Sequence, residues 1–165
     1  MSEQLSETAR KENLEKIIKG AQAAFFVTQS PGGAMHARPM ANAHVEANLS
    51  AIWFATQKNS GKIAELRQEQ EVLLGYVNGS GSEWASVNGT ASFVNDRAKI
   101  KELWSPIWKN WFDGPDDPNI RLIRVTPREA EYWDSGSRVI TMLKLAVGAV
   151  TAKTMDYGDN QHMKL

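Results

Sequence analysis

The sequence predicts a mainly β protein: an antiparallel sheet or barrel with helices at its periphery. Two observations carry this expectation. Six or seven short runs rich in β-formers recur along the 165 residues. Most of them are joined by tight turns rather than by crossover helices. No internal repeat, low-complexity segment or linker interrupts the chain, so a single domain over residues 1–165 is expected.

The elements follow in order. Residues 6–20 read as an amphipathic helix, because Leu14, Ile17, Ile18 and Ala21 recur at i, i+3, i+4 and i+7. Residues 23–29 form a strand, and Pro31-Gly32-Gly33 turns it into a second over residues 35–45. Pro39 lies inside that second strand. It has no N–H for a ladder, so the segment should be an edge, a bulge or a bend. Asn48 begins a tight turn into a third strand ending near Ala55. A helix over Gly61–Gln68, a strand over residues 72–77, the turn Asn78-Gly79-Ser80-Gly81-Ser82 and a long strand over residues 84–94 come next. Gly89 marks a bulge in that long strand. Asn95 or Asp96 caps a helix running through Trp104, and Pro106 restarts a short helix bearing Trp108 and Trp111. After a Pro/Gly loop, residues 120–126 and 129–133 read as two strands. Residues 138–153 are apolar enough for a final helix, and the tail beyond Met155 is polar.

Composition excludes several classes. The chain has no cysteine, which removes disulfides, thiolate chemistry and cysteine-ligated zinc, and agrees with a cytoplasmic protein. Nineteen basic residues balance nineteen acidic ones, so neither a nucleic-acid nor an anionic-membrane partner is indicated. The N-terminus is too polar for a secretory signal, and no run approaches the ~20 apolar residues of a membrane span. The six tryptophans, at positions 53, 84, 104, 108, 111 and 133, call for a core, a flat-ligand pocket or an interface.

The richest stretch is Trp53-Phe54-Ala55-Thr56-Gln57-Lys58-Asn59-Ser60-Gly61-Lys62. A strand runs into a polar bend and then a helix start with Ser60 at the N-cap position, where its hydroxyl can bond a first-turn N–H. Helix N-termini carry partial positive charge and free donors. With the Thr56 and Ser60 hydroxyls and the charges of Lys58 and Lys62, the bend suits a phosphate group. It equally suits a plain capped turn with solvated lysines. Other motifs point nowhere. Gly61-Lys62 lacks the upstream glycine of a P-loop, and Trp84 stands where a third dinucleotide-fold glycine would be. The three histidines are scattered, with His36 and His44 evenly spaced on one strand but short of a metal site. There is no Gly-x-Ser-x-Gly elbow. Asp113, Asp116 and Asp117 read as a solvated loop. Arg38-Pro39-Met40 reads as an edge strand with an outward arginine, although the backbone that proline leaves unpaired could bond the edge of a heterocycle. No residue stands out as catalytic.

Three separated segments together resemble the FMN-binding split barrel of pyridoxamine 5′-phosphate oxidase and its relatives. They are Arg38-Pro39-Met40, Thr56-x-x-x-Ser60-x-Lys62 and Pro127-x-x-x-Glu131-Tyr132-Trp133. The general stress protein 26 branch is the more similar one, through Leu103-Trp104-Ser105-Pro106, Trp111-Phe112-Asp113-Gly114 and Asp116-Asp117-Pro118. The resemblance implies a six-stranded antiparallel split barrel and a homodimer holding FMN, with FAD as the alternative, at the subunit interface. It places Arg38, Pro39 and Met40 along the isoalloxazine beside Ala55. It puts Thr56, Ser60 and Lys62 on the phosphate and ribityl chain, Trp84 near the ring, and Trp133 reaching the flavin from the partner subunit. Two departures stand out. Where the oxidases carry Ser-Arg-Lys, this chain has Ser60-Gly61-Lys62. Where they bind substrate with Arg-x-His-Asp-Arg, it has Arg138-Val139-Ile140-Thr141-Met142. The second departure argues against pyridoxamine 5′-phosphate oxidase activity. The expectation is a flavin-dependent oxidoreductase of undefined substrate, drawing on a nicotinamide donor or a small molecule. The alternative is a non-catalytic flavin store or stress sensor.

Overall fold

The N-terminal helix α1, Glu7–Gly20, lies where its periodicity placed it, and Ser6 Oγ caps it by accepting from the Ala9 amide at 3.2 Å. Leu14, Ile17 and Ile18 form its buried stripe. The structure is a computed structural model that describes residues 6–78, 83–134 and 159–165. The helix expected over residues 138–153 lies outside the described residues.

The remaining strands are β1 (Ala24–Gln29), β2 (Met35–Met40), β3 (His44–Val45), β4 (Ile52–Gln57), β5 (Glu71–Val77), β6 (Glu83–Val94), β7 (Ile120–Asp134) and β8 (Asp159–Lys164). All the pairings are antiparallel. They run in the order β2-β1-β5-β6-β7-β4-β3, with β8 added to β7. The fold is mainly β with peripheral helices, a split β-barrel. The reason it curls is visible in the chain. Strands β2 and β3 stand at opposite ends of that order, yet only residues 41–43 separate them. Four Cα steps span at most about 14 Å, so the two ends of the sheet are drawn together.

Pro39 accounts for this break. Instead of one strand over residues 35–45, β2 stops at Met40 as an edge strand and the chain restarts at His44 against β4. Asn42 holds the crossing: its side chain donates to the Ile18 carbonyl at 3.1 Å and accepts from the Tyr76 hydroxyl at 3.1 Å. Asn48 takes φ 56°, the left-handed conformation its turn requires.

At the other end of the chain, residues 120–134 form one strand rather than two. The irregularity expected at Gly89 absorbs Pro127: the β6–β7 register shifts between Asn88 and Gly89, and Gly89 faces Pro127. The polar tail is ordered as β8, whose Met163 is buried.

Strand alternation divides the sheet into two faces. Inward go Phe26, Phe54, Leu74, Tyr76, Val87, Ile123 and Tyr132, with the Phe26 and Phe54 rings edge to face at 5.1 Å. A second cluster forms where α3 (Arg97–Leu103) and a 3-10 helix (Pro106–Asn110) cover β4 and β7. Asp96 caps α3, accepting from the Ala98 and Lys99 amides. Trp108 is buried there between Trp104 and Phe112, at ring distances of 5.6 and 6.4 Å. Among the described residues no helix is long and apolar enough to cross a membrane.

Candidate functional site

The site begins with helix α2, Gly61–Gln68, which starts at the residue the sequence indicated. Ser60 occupies the N-cap position, but its side chain does not cap. Its hydroxyl accepts from Lys62 Nζ at 2.7 Å, and Lys62 Nζ also donates to Thr56 Oγ1 at 3.0 Å. The cap expected of Ser60 is therefore replaced by a lysine contact, and the Ile63 amide donates to the Ser60 carbonyl at 2.9 Å instead. The bend itself is fastened by Lys58 N donating to the Asn119 carbonyl at 2.8 Å and Ser60 N to the Gln57 carbonyl at 3.0 Å.

Lys62 is half removed from water, and among the described residues no carboxylate pairs with it. Burial lowers its pKa, and repulsion from Arg38 lowers it further, against an opposing pull from Glu65. A half-buried ammonium facing two hydroxyls, beside a helix N-terminus, is the chemistry of an anion site. At Gly61 an added Cβ would meet nothing within 4 Å, so the approach to the helix start is open.

A cavity of about 370 Å³ opens from these groups. Thr56, Gln57, Ser60 and Lys62 form its polar end, with Pro39, Met40, Ala41 and Ala55 along one wall. The 3-10 helix and the residues after it supply Ile107, Trp108, Trp111 and Phe112. Trp111 is 58% exposed and Ile107 56%, so the aromatic and aliphatic faces at this wall are available. Size and lining, mostly apolar with a few convergent polar groups, are those of a small-molecule pocket.

Six of the residues singled out in the sequence meet here: Pro39, Met40, Ala55, Thr56, Ser60 and Lys62. Arg38 does not join them. Alternation along β2 turns it to the opposite face from Pro39, where it donates to Glu65 Oε2 at 2.9 Å and Thr28 Oγ1 at 3.0 Å. Thr28 also donates to Glu65 Oε2 at 2.5 Å, and His36 Nδ1 lies 2.6 Å from Glu65 Oε1. Burial would raise the Glu65 pKa, but the bonds from Thr28, His36 and Arg38 and the charge of Arg38 outweigh it and hold the carboxyl at about 2. Arg38 and His36 thus tie β2 to α2.

Trp84 and Trp133 are register partners on β6 and β7, on the outward face that also carries Phe25, Val77 and Pro39, and outside the cavity lining. Sequence reasoning passed over Ala41, Gln57, Ile107 and Phe112 as lining residues. The tryptophan surplus was the available signal for the last two. The aspartate loop is structural: Asp117 accepts from the Asn119 amide at 2.8 Å and the Asp113 amide at 3.0 Å, while Asp116 pairs with Lys101.

The comparisons with known proteins agree with this architecture. A family model described as pyridoxamine 5′-phosphate oxidase like matches residues 9–156. Protein bli-3 of Neurospora crassa is 32% identical over 134 residues, covering 75% of this chain and 64% of that protein, so the match spans less than two thirds of the relative's length. General stress protein 26 of Bacillus subtilis is 33% identical over 98 residues, 57% of this chain and 69% of that one. Among solved structures, the general stress FMN/FAD binding protein of Xanthomonas citri superposes with TM-score 0.67 at 29% identity, over 77% of this chain and 89% of that one. With the split barrel and the strand–bend–helix site in place, the chain belongs to the pyridoxamine 5′-phosphate oxidase-like family, in its general stress protein 26 branch.

Proposed function

We infer that this protein binds FMN and uses it as a flavin-dependent oxidoreductase, with the phosphate end of the cofactor in the Thr56–Ser60–Lys62 cradle. One observation carries the reading. Lys62 Nζ is half-buried at a helix start, and its partners are the hydroxyls of Thr56 and Ser60 rather than a carboxylate. A phosphate dianion there gains the ammonium, two hydroxyls and the partial positive charge of the α2 N-terminus. It also opposes the burial and the Arg38 repulsion that lower the lysine pKa, since an anion beside Nζ favours the charged form.

The residues present fit the rest of such a ligand. Pro39, Ala55, Ile107 and Trp111 offer apolar faces to a planar ring system, and Met40 can adapt its shape to it. Bound flavin would supply the electron or hydride transfer. This chain's part is to bind, orient and exclude water, which agrees with the lack of an acid–base constellation at the cavity. FAD is admitted by the same cradle, and a relative bearing the name FMN/FAD binding protein supports keeping both. A nicotinamide or small-molecule reductant is the expected donor.

The site is proposed to be completed in a homodimer. Phe25, Met35, Val77 and Trp84 are exposed on the outward sheet face, with Ala37 and Pro39 between them. An apolar face of this kind suits a partner subunit. Trp84 and Trp133 would then act on the flavin across the interface.

Protein purified with added FMN should retain bound-flavin absorbance. Lys62→Ala should weaken FMN by about tenfold or more, from the loss of a charge-assisted bond of ~1.5–3 kcal/mol. Unaltered affinity in the variant overturns the phosphate assignment. A non-catalytic flavin store is the rival, and rapid reduction of the bound flavin by NADH or NADPH in stopped flow decides for the enzyme.

A further inference from the structure

On the far flank of α2 lies a second cavity, of about 280 Å³, lined by Lys58, Asn59, Ile63, Arg67, Phe93 and Arg121. Three of these six residues are cationic and none is acidic. Lys11, Lys19, Arg38, Lys99, Lys101 and Arg128 each have a carboxylate partner. Among the described residues no carboxylate pairs with Lys58, Arg67 or Arg121. Arg121 bonds to the Pro118 and Ile120 carbonyls through one terminal nitrogen only, at 3.0 and 2.7 Å, leaving the rest of its guanidinium for a ligand. Arg67 stands in the last turn of α2, where the helix dipole favours a cation. That accounts for one charge and not for three.

Like charges gathered around a concave surface raise the local potential and draw anions to it. The floor is apolar: Ile63 is buried and Phe93 partly so. Three donors of positive charge around an aromatic and aliphatic floor suit a ligand with a phosphorylated end and a flat body, since guanidinium groups bond phosphate oxygens and a ring can lie on phenylalanine. The geometry points to a second, nucleotide-type anion site at Lys58, Arg67 and Arg121, taking a nucleoside diphosphate or the equivalent part of a larger nucleotide. It stands apart from the Lys62 cradle, and its truth does not depend on flavin binding there.

Isothermal titration of the full chain with ADP, after saturation with FMN, tests this assignment. The expected result is saturable binding at one site, weakened about tenfold by Arg67→Gln and by Lys58→Gln, as loss of one charge-assisted contact requires. Lys62→Ala should leave ADP affinity as in the wild type. Inorganic pyrophosphate should bind more weakly than ADP, because it makes no use of Phe93. Circular dichroism establishes that each variant is folded, and either of the two charge variants suffices. Three outcomes overturn the proposal: no saturable heat at millimolar ADP, wild-type affinity in a folded Arg67→Gln or Lys58→Gln protein, or loss of ADP binding in Lys62→Ala. Equal affinity for pyrophosphate and ADP overturns the nucleotide class. NADPH titrated in parallel separates a free nucleotide from a dinucleotide donor: tighter binding than ADP that is lost in Arg67→Gln assigns the cavity to the donor's diphosphate.

Discussion

At the scale of single residues, Glu65 does more than its place on a short helix suggests. It accepts from Thr28 and Arg38 and contacts His36, so one carboxylate joins β1, β2 and α2 behind the proposed cradle. Its pKa falls from 4.5 to about 2 in the folded protein, so the stability it contributes is present above 4.5 and lost as the pH drops towards 2. Glu65→Gln should therefore be less stable than the wild type at neutral pH, and the difference should shrink between pH 4.5 and 2 in urea unfolding. A difference equally large at both ends of that range would remove the charge from the explanation. Lys62 and Ser60 were readable from their spacing, since a bend before a helix places them near each other. The turn of Arg38 towards Glu65 was not. The alternation of β2 assigns its face, but only the packing of α2 supplies a part-buried carboxylate on that face.

At the scale of elements, β6 and β7 form the spine, and their long pairing survives a proline because Gly89 sits opposite it. A Cβ added at Gly89 would fall 2.6 Å from the Thr126 carbonyl oxygen and 2.8 Å from Val125 Cγ1. Backbone cannot give way there as a flexible side chain would. Gly89→Ala should cost about 1–3 kcal/mol and lower the thermal midpoint, and an unchanged midpoint would show that the bulge relaxes freely. The bulge itself was legible, as glycine inside a β-rich run usually marks one. The continuity of β7 was not, because Pro127 reads locally as a strand end, and only the facing bulge allows the ladder to continue past it. The same limit applies to the tail. Asp159–Lys164 is too polar to announce itself, and it is a strand because β7 offers a free edge to pair with.

At the scale of the whole molecule, the outward sheet face is the feature that folding of one chain leaves unresolved. Phe25 is 57% exposed, Met35 61% and Trp84 41%, in a chain with no net charge to keep copies apart. Sedimentation equilibrium should give twice the 18.3 kDa of the single chain. Phe25→Asp should return it to the monomer with the fold retained, because that side chain lies outside the core. A wild-type monomer at micromolar concentration would defeat the shared-site reading. By itself the sequence determined the class of fold and the start of α2, narrowed the cap of α3 to Asn95 or Asp96, and singled out Thr56, Ser60 and Lys62 in the bend before α2. All of these follow from periodicities and spacings within a dozen residues, where local sterics and hydrogen bonding decide. Tertiary structure alone decided that residues 41–43 bring the ends of the sheet together, that Trp111 and Ile107 wall the same cavity as Ala55, and that Lys58, Arg67 and Arg121 meet around another. Those meetings join residues as far apart in the chain as Lys58 and Arg121, and they depend on sheet closure and strand register, which no local pattern encodes.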